Sequence, residues 1–148
     1  MKKYLFTAIT ILFVPLFLNA QADKIKGTWI TEKGTSTVEV AKGSDGFYNG
    51  TVNWLEEPNE DGKPKVDKEN EDPELAKRPI LGLNMLTGLT YDSKKDRWIN
   101  GSIYDPDNGK TYDCYAWFKD GNYDVLYLKG YVAGIKALGR KTIWKAKK

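Results

Sequence analysis

The sequence predicts an all-β fold, an antiparallel up-and-down β-barrel of about eight strands with one short helix in a long loop. Short runs rich in Thr, Val, Ile and aromatic residues recur along the chain, and turn signals separate them. Matched elements stand at its two ends, Gly27-Thr28-Trp29 early and Gly139-Arg140 just before the last strand-like run. Regular spacing of short strands with tight turns marks a sandwich or barrel. If the end elements meet, the sheet between them closes.

The first strands read as 26–32, 35–42 and 47–55, separated by Lys33-Gly34 and by Gly43-Ser44-Asp45-Gly46. Alternation in the third puts Tyr48, Val52 and Trp54 on one face and Asn49, Thr51 and Asn53 on a wetter one. Four later runs, 97–104, 110–118, 123–132 and 141–147, repeat the pattern. Asn108-Gly109 and Asp120-Gly121 between them favour the positive backbone angles of tight hairpins.

Residues 56–78 break the rhythm, because nearly all are charged, Pro, Gly or Asn. This stretch is expected as a solvated excursion rather than a strand. Within it Asp72-Pro73-Glu74-Leu75 reads as an N-cap with proline at the first helical position, giving a turn or two of helix before Pro79. The next run, 80–89, is the most apolar after the leader. It is either a buried strand or a loop that plugs one barrel mouth, and its short length with Gly82 and Gly88 leaves both open.

Residues 1–22 read as an export leader. Lys2 and Lys3 precede an apolar run from Tyr4 to Leu18, and Ala20-Gln21-Ala22 is a small-x-small pattern cut after Ala22 or after Ala20. The run is shorter than the roughly 20 apolar residues of a spanning helix. The expectation is a periplasmic or secreted protein with no transmembrane segment once the leader is gone. Residues 23–148 then form one domain with one core.

Composition excludes several chemistries. The leader takes Lys2 and Lys3 with it, leaving 21 basic against 20 acidic residues. That balance argues against nucleic acid, whose phosphates need a basic surplus. There is no histidine, so Ser-His-Asp and Cys-His catalysis are ruled out and the commonest zinc ligand is missing. Cys114, the sole cysteine, lies in an apolar-rich strand and is expected to be a buried, inert thiol. Asp105, Asp107, Asn108 and Asp113 resemble a cation loop, but a turn in which Asp and Asn bond their own backbone explains them more simply. No metal or cofactor is expected. A two-carboxylate hydrolase needs no histidine, and Glu39 is the one strand carboxylate to test for it, although it faces the wet side.

In combination, several segments resemble one known group. Gly27-Thr28-Trp29, Trp54-Leu55-x-Glu57-Pro58, Asp61-Gly62-Lys63-Pro64, Arg78-Pro79-Ile80-Leu81-Gly82-Leu83, Ile103-Tyr104-Asp105-Pro106 and Leu138-Gly139-Arg140 look like the exported bacterial family catalogued as domain of unknown function 2147. The resemblance implies a lipocalin-like (calycin) barrel, a fold that mostly binds small apolar molecules, in a family with no agreed activity. Many members carry a cysteine pair near the second turn, and residues 42–50 here have none.

The resemblance also implies a structural closure by Gly27, Trp29 and Arg140. Gly27 would allow close approach, Trp29 would fill the floor, and the Arg140 guanidinium would stack on the indole. Trp54, Trp98, Tyr104, Tyr115, Trp117 and Tyr127 are the candidate cavity residues, each at a position where alternation can turn it inward. Residues 80–89 and the charged excursion would gate the mouth. The expected function is non-catalytic binding of a small apolar or amphipathic molecule in the barrel. The competing expectation is a solidly packed barrel that acts through its surface, and an exposed 80–89 run would promote weak homodimers.

Overall fold

Eight strands close on themselves because the first and the last pair with each other. The computed structural model describes residues 19–148. The charged start and apolar run of the expected leader lie outside them. The strands are β1 (Gly27–Ile30), β2 (Ser36–Lys42), β3 (Tyr48–Leu55), β4 (Asn59–Glu60), β5 (Lys63–Pro64), β6 (Asn84–Asp92), β7 (Arg97–Asp105), β8 (Lys110–Lys119), β9 (Asn122–Val132) and β10 (Ile135–Ala146). Around the barrel the order is β1-β10-β9-β8-β7-β6-β3-β2, and every neighbouring pair is antiparallel. Trp29 pairs with Ala146 where β1 meets β10. The fold is the all-β barrel that the strand and turn pattern predicts.

Up-and-down order gives the barrel two distinct ends. The lower end carries the β2–β3, β6–β7 and β8–β9 turns, and the upper end carries the β1–β2, β7–β8 and β9–β10 turns. The long β3–β6 connection also lies at the upper end. A 3-10 helix, Asp23–Ile25, lies across the lower end and buries Ile25 completely. Within the connection, Leu75–Lys77 forms the expected short helix as one 3-10 turn, but it starts later than expected, with Glu74 rather than Asp72 at the N-cap.

The connection, expected to be free of strand, contains a strand pair. β4 and β5 pair as a minimal hairpin, with Asp61 at φ 51° and Gly62 at φ 74°. Positive φ at both central residues is the demand of a two-residue hairpin turn, which Asp-Gly meets. The apolar 80–89 run also resolves into two parts. Residues 80–83 form a turn beside β3, where Gly82 N–H donates to Val52 O and Val52 N–H to Leu83 O. The remainder is strand β6, which buries Leu86 and Leu89.

Side chains occupy the inward positions. Val38, Val40, Val52, Leu86, Leu89, Trp98, Cys114, Ala116, Leu126, Leu128 and Trp144 are all 2 % exposed or less. Rings cross the lower interior, with Trp29 5.8 Å from Phe118, Phe118 5.4 Å from Trp98 and Trp98 5.1 Å from Tyr91 between centroids. At Gly101 an added Cβ would lie 2.5 Å from a Leu89 methyl, so the neighbour already fills the space a side chain would need.

Candidate functional site

The two ends of the chain meet, but not through the contact expected of them. Trp29 is buried and its Nε1–H donates to the Ile25 carbonyl at 2.9 Å. Arg140 pairs with Gly130, six residues up β10 from Ala146, which is the partner of Trp29. At about 3.3 Å per residue that separates the two backbones by about 20 Å. Arg140 is exposed near the upper mouth and does not lie across the indole. Phe118 packs on Trp29 instead. Gly27 is likewise required for a different reason than close approach. A Cβ there would meet nothing within 4 Å, whereas its φ of 137° disfavours any L side chain.

The six candidate cavity residues separate into three environments. Trp98 is in the core, fully buried, with its Nε1–H donating to Ala22 O at 3.0 Å. Tyr104 leaves the barrel wall for the excursion, and its hydroxyl donates to the Asp67 carboxylate at 2.6 Å. Trp54 is 42 % exposed, because the β2–β3 register slips between the Thr37–Trp54 and Val38–Val52 pairs. The extra residue reverses the alternation, so Leu55 rather than Trp54 packs on the core. Lys147 covers the displaced indole at 5.7 Å.

Tyr115, Trp117 and Tyr127 form the third group, on the outer face. Their strands turn Cys114, Ala116, Leu126 and Leu128 inward, and strict alternation sends the three rings out. Tyr115 stacks on Trp117 at 5.2 Å and Trp117 on Tyr127 at 5.5 Å, with interplanar angles of 28° and 23°. Cations close both ends of the stack. Arg97 lies 5.3 Å from the Tyr115 ring and Lys141 5.7 Å from Tyr127. Lys136 sits over both Tyr115 and Tyr131.

Beside this stack is a concavity of about 310 Å³ lined by Lys95, Asp96, Arg97, Tyr115, Trp117 and Phe118. Arg97 Nε is buried there without a hydrogen-bond partner. A buried donor left unpaired is uncommon and costs stability unless something else accepts from it. The site thus combines the Tyr115 and Trp117 rings, the Lys95 and Arg97 cations, the Asp96 carboxylate and one buried, unpaired N–H. Sequence alternation contained the signal for this outward placement, since Cys114 and Ala116 on β8, like Leu126 and Leu128 on β9, occupy alternate inward positions.

A second groove, of about 290 Å³, lies on the outer face of β2 and β3 and includes Glu39, Lys42, Asn49, Thr51 and Asn53. Glu39 accepts from Asn53 Nδ2 at 3.3 Å. It is the single carboxylate among the lining residues, while a paired mechanism requires two within about 5 to 9.5 Å. The Asp105–Gly109 turn bonds itself as expected, with Asp107 N–H donating to the Asp105 carboxylate and Gly109 N–H to Asp105 O. Burial pushes the Cys114 thiol up to about 12, which keeps it protonated and unreactive.

The excursion holds one feature that sequence reasoning missed. Its carboxylates were expected in water, yet Asp67 is wholly buried. It accepts from Tyr104, from Asn70 Nδ2 at 3.1 Å and from Arg78 Nε at 2.9 Å. Arg78 also lies 5.0 Å from the Tyr104 ring. Its partners are spread over residues 70–104, so no local motif announces the cluster.

Among the described residues no helix is long and apolar enough to cross a membrane. No curated protein sequence matches the chain. Among solved structures, the fold is similar to a protein described as "HP1028 from the human pathogen Helicobacter pylori", which belongs to the lipocalin family. The TM-score is 0.67 and the identity 23 %, over 83 % of this chain and 82 % of that one. That likeness establishes a lipocalin-like barrel, a fold compatible with binding a small molecule. The family model for an uncharacterised protein conserved in bacteria, domain of unknown function 2147, matches residues 27–146, and the chain belongs to that family.

Proposed function

We propose that this is an exported, non-catalytic binding protein in which the filled barrel is a scaffold and the outer face of β7 to β10 takes the ligand. The ligand class is a small amphipathic molecule with an anionic group. Its apolar part would lie along the edges of Tyr115, Trp117 and Tyr127, and its anion would accept from Arg97. What supports this reading over a carrier with an internal ligand is the ring-filled lower interior, together with the unpartnered Arg97 Nε beside an open concavity.

The test is native mass spectrometry of protein purified from its own host, followed by titration calorimetry with octanoate as the probe. Trp117→Ala and Arg97→Gln are each expected to weaken octanoate binding at least about tenfold, the loss of one charged hydrogen bond or one ring contact. Binding unchanged in both variants would locate the ligand elsewhere and overturn the proposal.

A further inference from the structure

The β9–β10 hairpin has an unusual charge pattern. From Val125 to Lys148 the chain has no acidic residue, and it carries Lys129, Lys136, Arg140, Lys141, Lys145, Lys147 and Lys148. Its tip is also apolar and open to solvent, with Val132 65 %, Ile135 51 % and Leu138 82 % exposed. Burying such side chains away from water is favourable, and this tip leaves them uncovered.

The register explains the exposure. Ile135 pairs with Val132, but the next pair is Arg140 with Gly130, so residues 136–139 bulge from the ladder and carry Leu138 outward. Gly139 anchors that bulge, because a Cβ there would lie 2.5 Å from Gly130 O. The three aliphatic residues thus stand on a projecting hairpin with Lys136 and Arg140 in the same short segment.

Charge is distributed oppositely on the far side of the same end. The excursion between Glu56 and Glu74 holds nine acidic residues against Lys63, Lys65 and Lys68. It leaves the barrel between β3 and β6, diametrically across the strand order from β9 and β10. An anionic surface would therefore be drawn to the hairpin and repelled by the excursion, which fixes an orientation.

We propose that the β9–β10 tip docks the protein on an anionic phospholipid surface, with Val132, Ile135 and Leu138 entering the interface and Lys136 and Arg140, the cations of the tip itself, facing the headgroups. Cations near such a surface and aliphatic side chains at its boundary act together. A projecting tip suits this occupant better than it suits a protein partner, because lipid chains yield around it without a matching pocket. The inference stands independently of the outer-face ligand reading.

Co-sedimentation with vesicles tests it. The full exported chain is expected to bind vesicles of phosphatidylcholine with phosphatidylglycerol and not pure phosphatidylcholine, and to be released as salt screens the charges. Lys136→Gln and Arg140→Gln should each weaken binding about fivefold. Val132→Ser, Ile135→Ser and Leu138→Ser together should weaken it at least about tenfold. Trp117→Ala should leave it within about twofold, a result that holds whether or not the aromatic face takes octanoate. Absence of binding at low salt, or binding indifferent to the triple serine change, would overturn the proposal. So would ultracentrifugation showing that the tip instead joins two copies, with vesicle binding absent.

Discussion

The two ends of the barrel are sealed by opposite chemistries. At the lower end the Asp23–Ile25 helix lies over a set of rings, and the indole N–H groups of Trp29 and Trp98 are satisfied by the backbone carbonyls of Ile25 and Ala22. At the upper end a charged excursion is drawn onto β7 through one buried carboxylate, Asp67, that serves Tyr104, Arg78 and Asn70 together. Apolar contacts are numerous and individually small, so loss of any one is shared by its neighbours. A buried charge is a single point of failure, because removing it strands every donor that faced it.

That contrast predicts its own largest effect. Asp67→Ala should cost about 3 kcal/mol, since the buried Tyr104 hydroxyl and the half-buried Arg78 guanidinium lose their shared acceptor. Urea denaturation measures the loss. Trypsin should then cut the excursion at Lys68 and Lys77 faster than it cuts the strands. If the strands are cut as fast as the excursion, the upper latch and the barrel form one cooperative unit and the contrast fails.

A smaller effect tests the lower end. A chain that begins at Asp23 lacks the Ala22 carbonyl, which leaves the buried Trp98 Nε1–H without its partner. It also loses the Gln21 bond to Asp96. Compared with a chain that begins at Gln21, it should be less stable by about 1 to 2 kcal/mol, read as a lower denaturation midpoint. Equal stabilities would mean that the helix seals the barrel through Ile25 alone. The same comparison bears on the proposed export leader, because a cut after Ala20 would keep these contacts and a cut after Ala22 would remove them.

Strands and turns were legible because their signals are local. Alternating Thr, Val and aromatic residues sit beside Asn-Gly and Asp-Gly pairs, and each pattern acts within a few residues of itself. Asp61-Gly62 carried the same signal inside a charged stretch, and composition hid it. Trp54 was misplaced because one bulge reverses the side-chain alternation, and nothing in the sequence near Asn53 marks the extra residue. Arg140 was misplaced because the resemblance supplied a partner that strand register does not. Asp67 was illegible for a third reason: burial of a charge depends on partners gathered by the fold. The outer stack lay between these extremes, since small inward residues at 114 and 116 imply outward rings, but only the closed barrel decides which face is inside.

The smallest effect concerns acid. Asp23, in the lower helix, accepts from the Tyr48 hydroxyl at 2.8 Å, and that bond, aided by Lys26, holds its carboxyl below the ordinary aspartate value of 3.8. Tyr48 responds in the opposite sense, its phenol raised by burial and then by Asp23. A carboxyl depressed in the folded state contributes stability that is complete above its unfolded value and is lost as pH falls through the folded one. The contribution should therefore be intact at pH 5 and fade below about 3.8. Asp23 is 40 % exposed on its side chain, so the effect is held to less than about 1 kcal/mol. Asp23→Asn should remove it and flatten the acid limb of a stability profile measured between pH 5 and 2, while leaving the Asp67 latch at the far end undisturbed. A profile of unchanged steepness in that variant would place the acid sensitivity elsewhere in the molecule and leave the lower seal purely apolar.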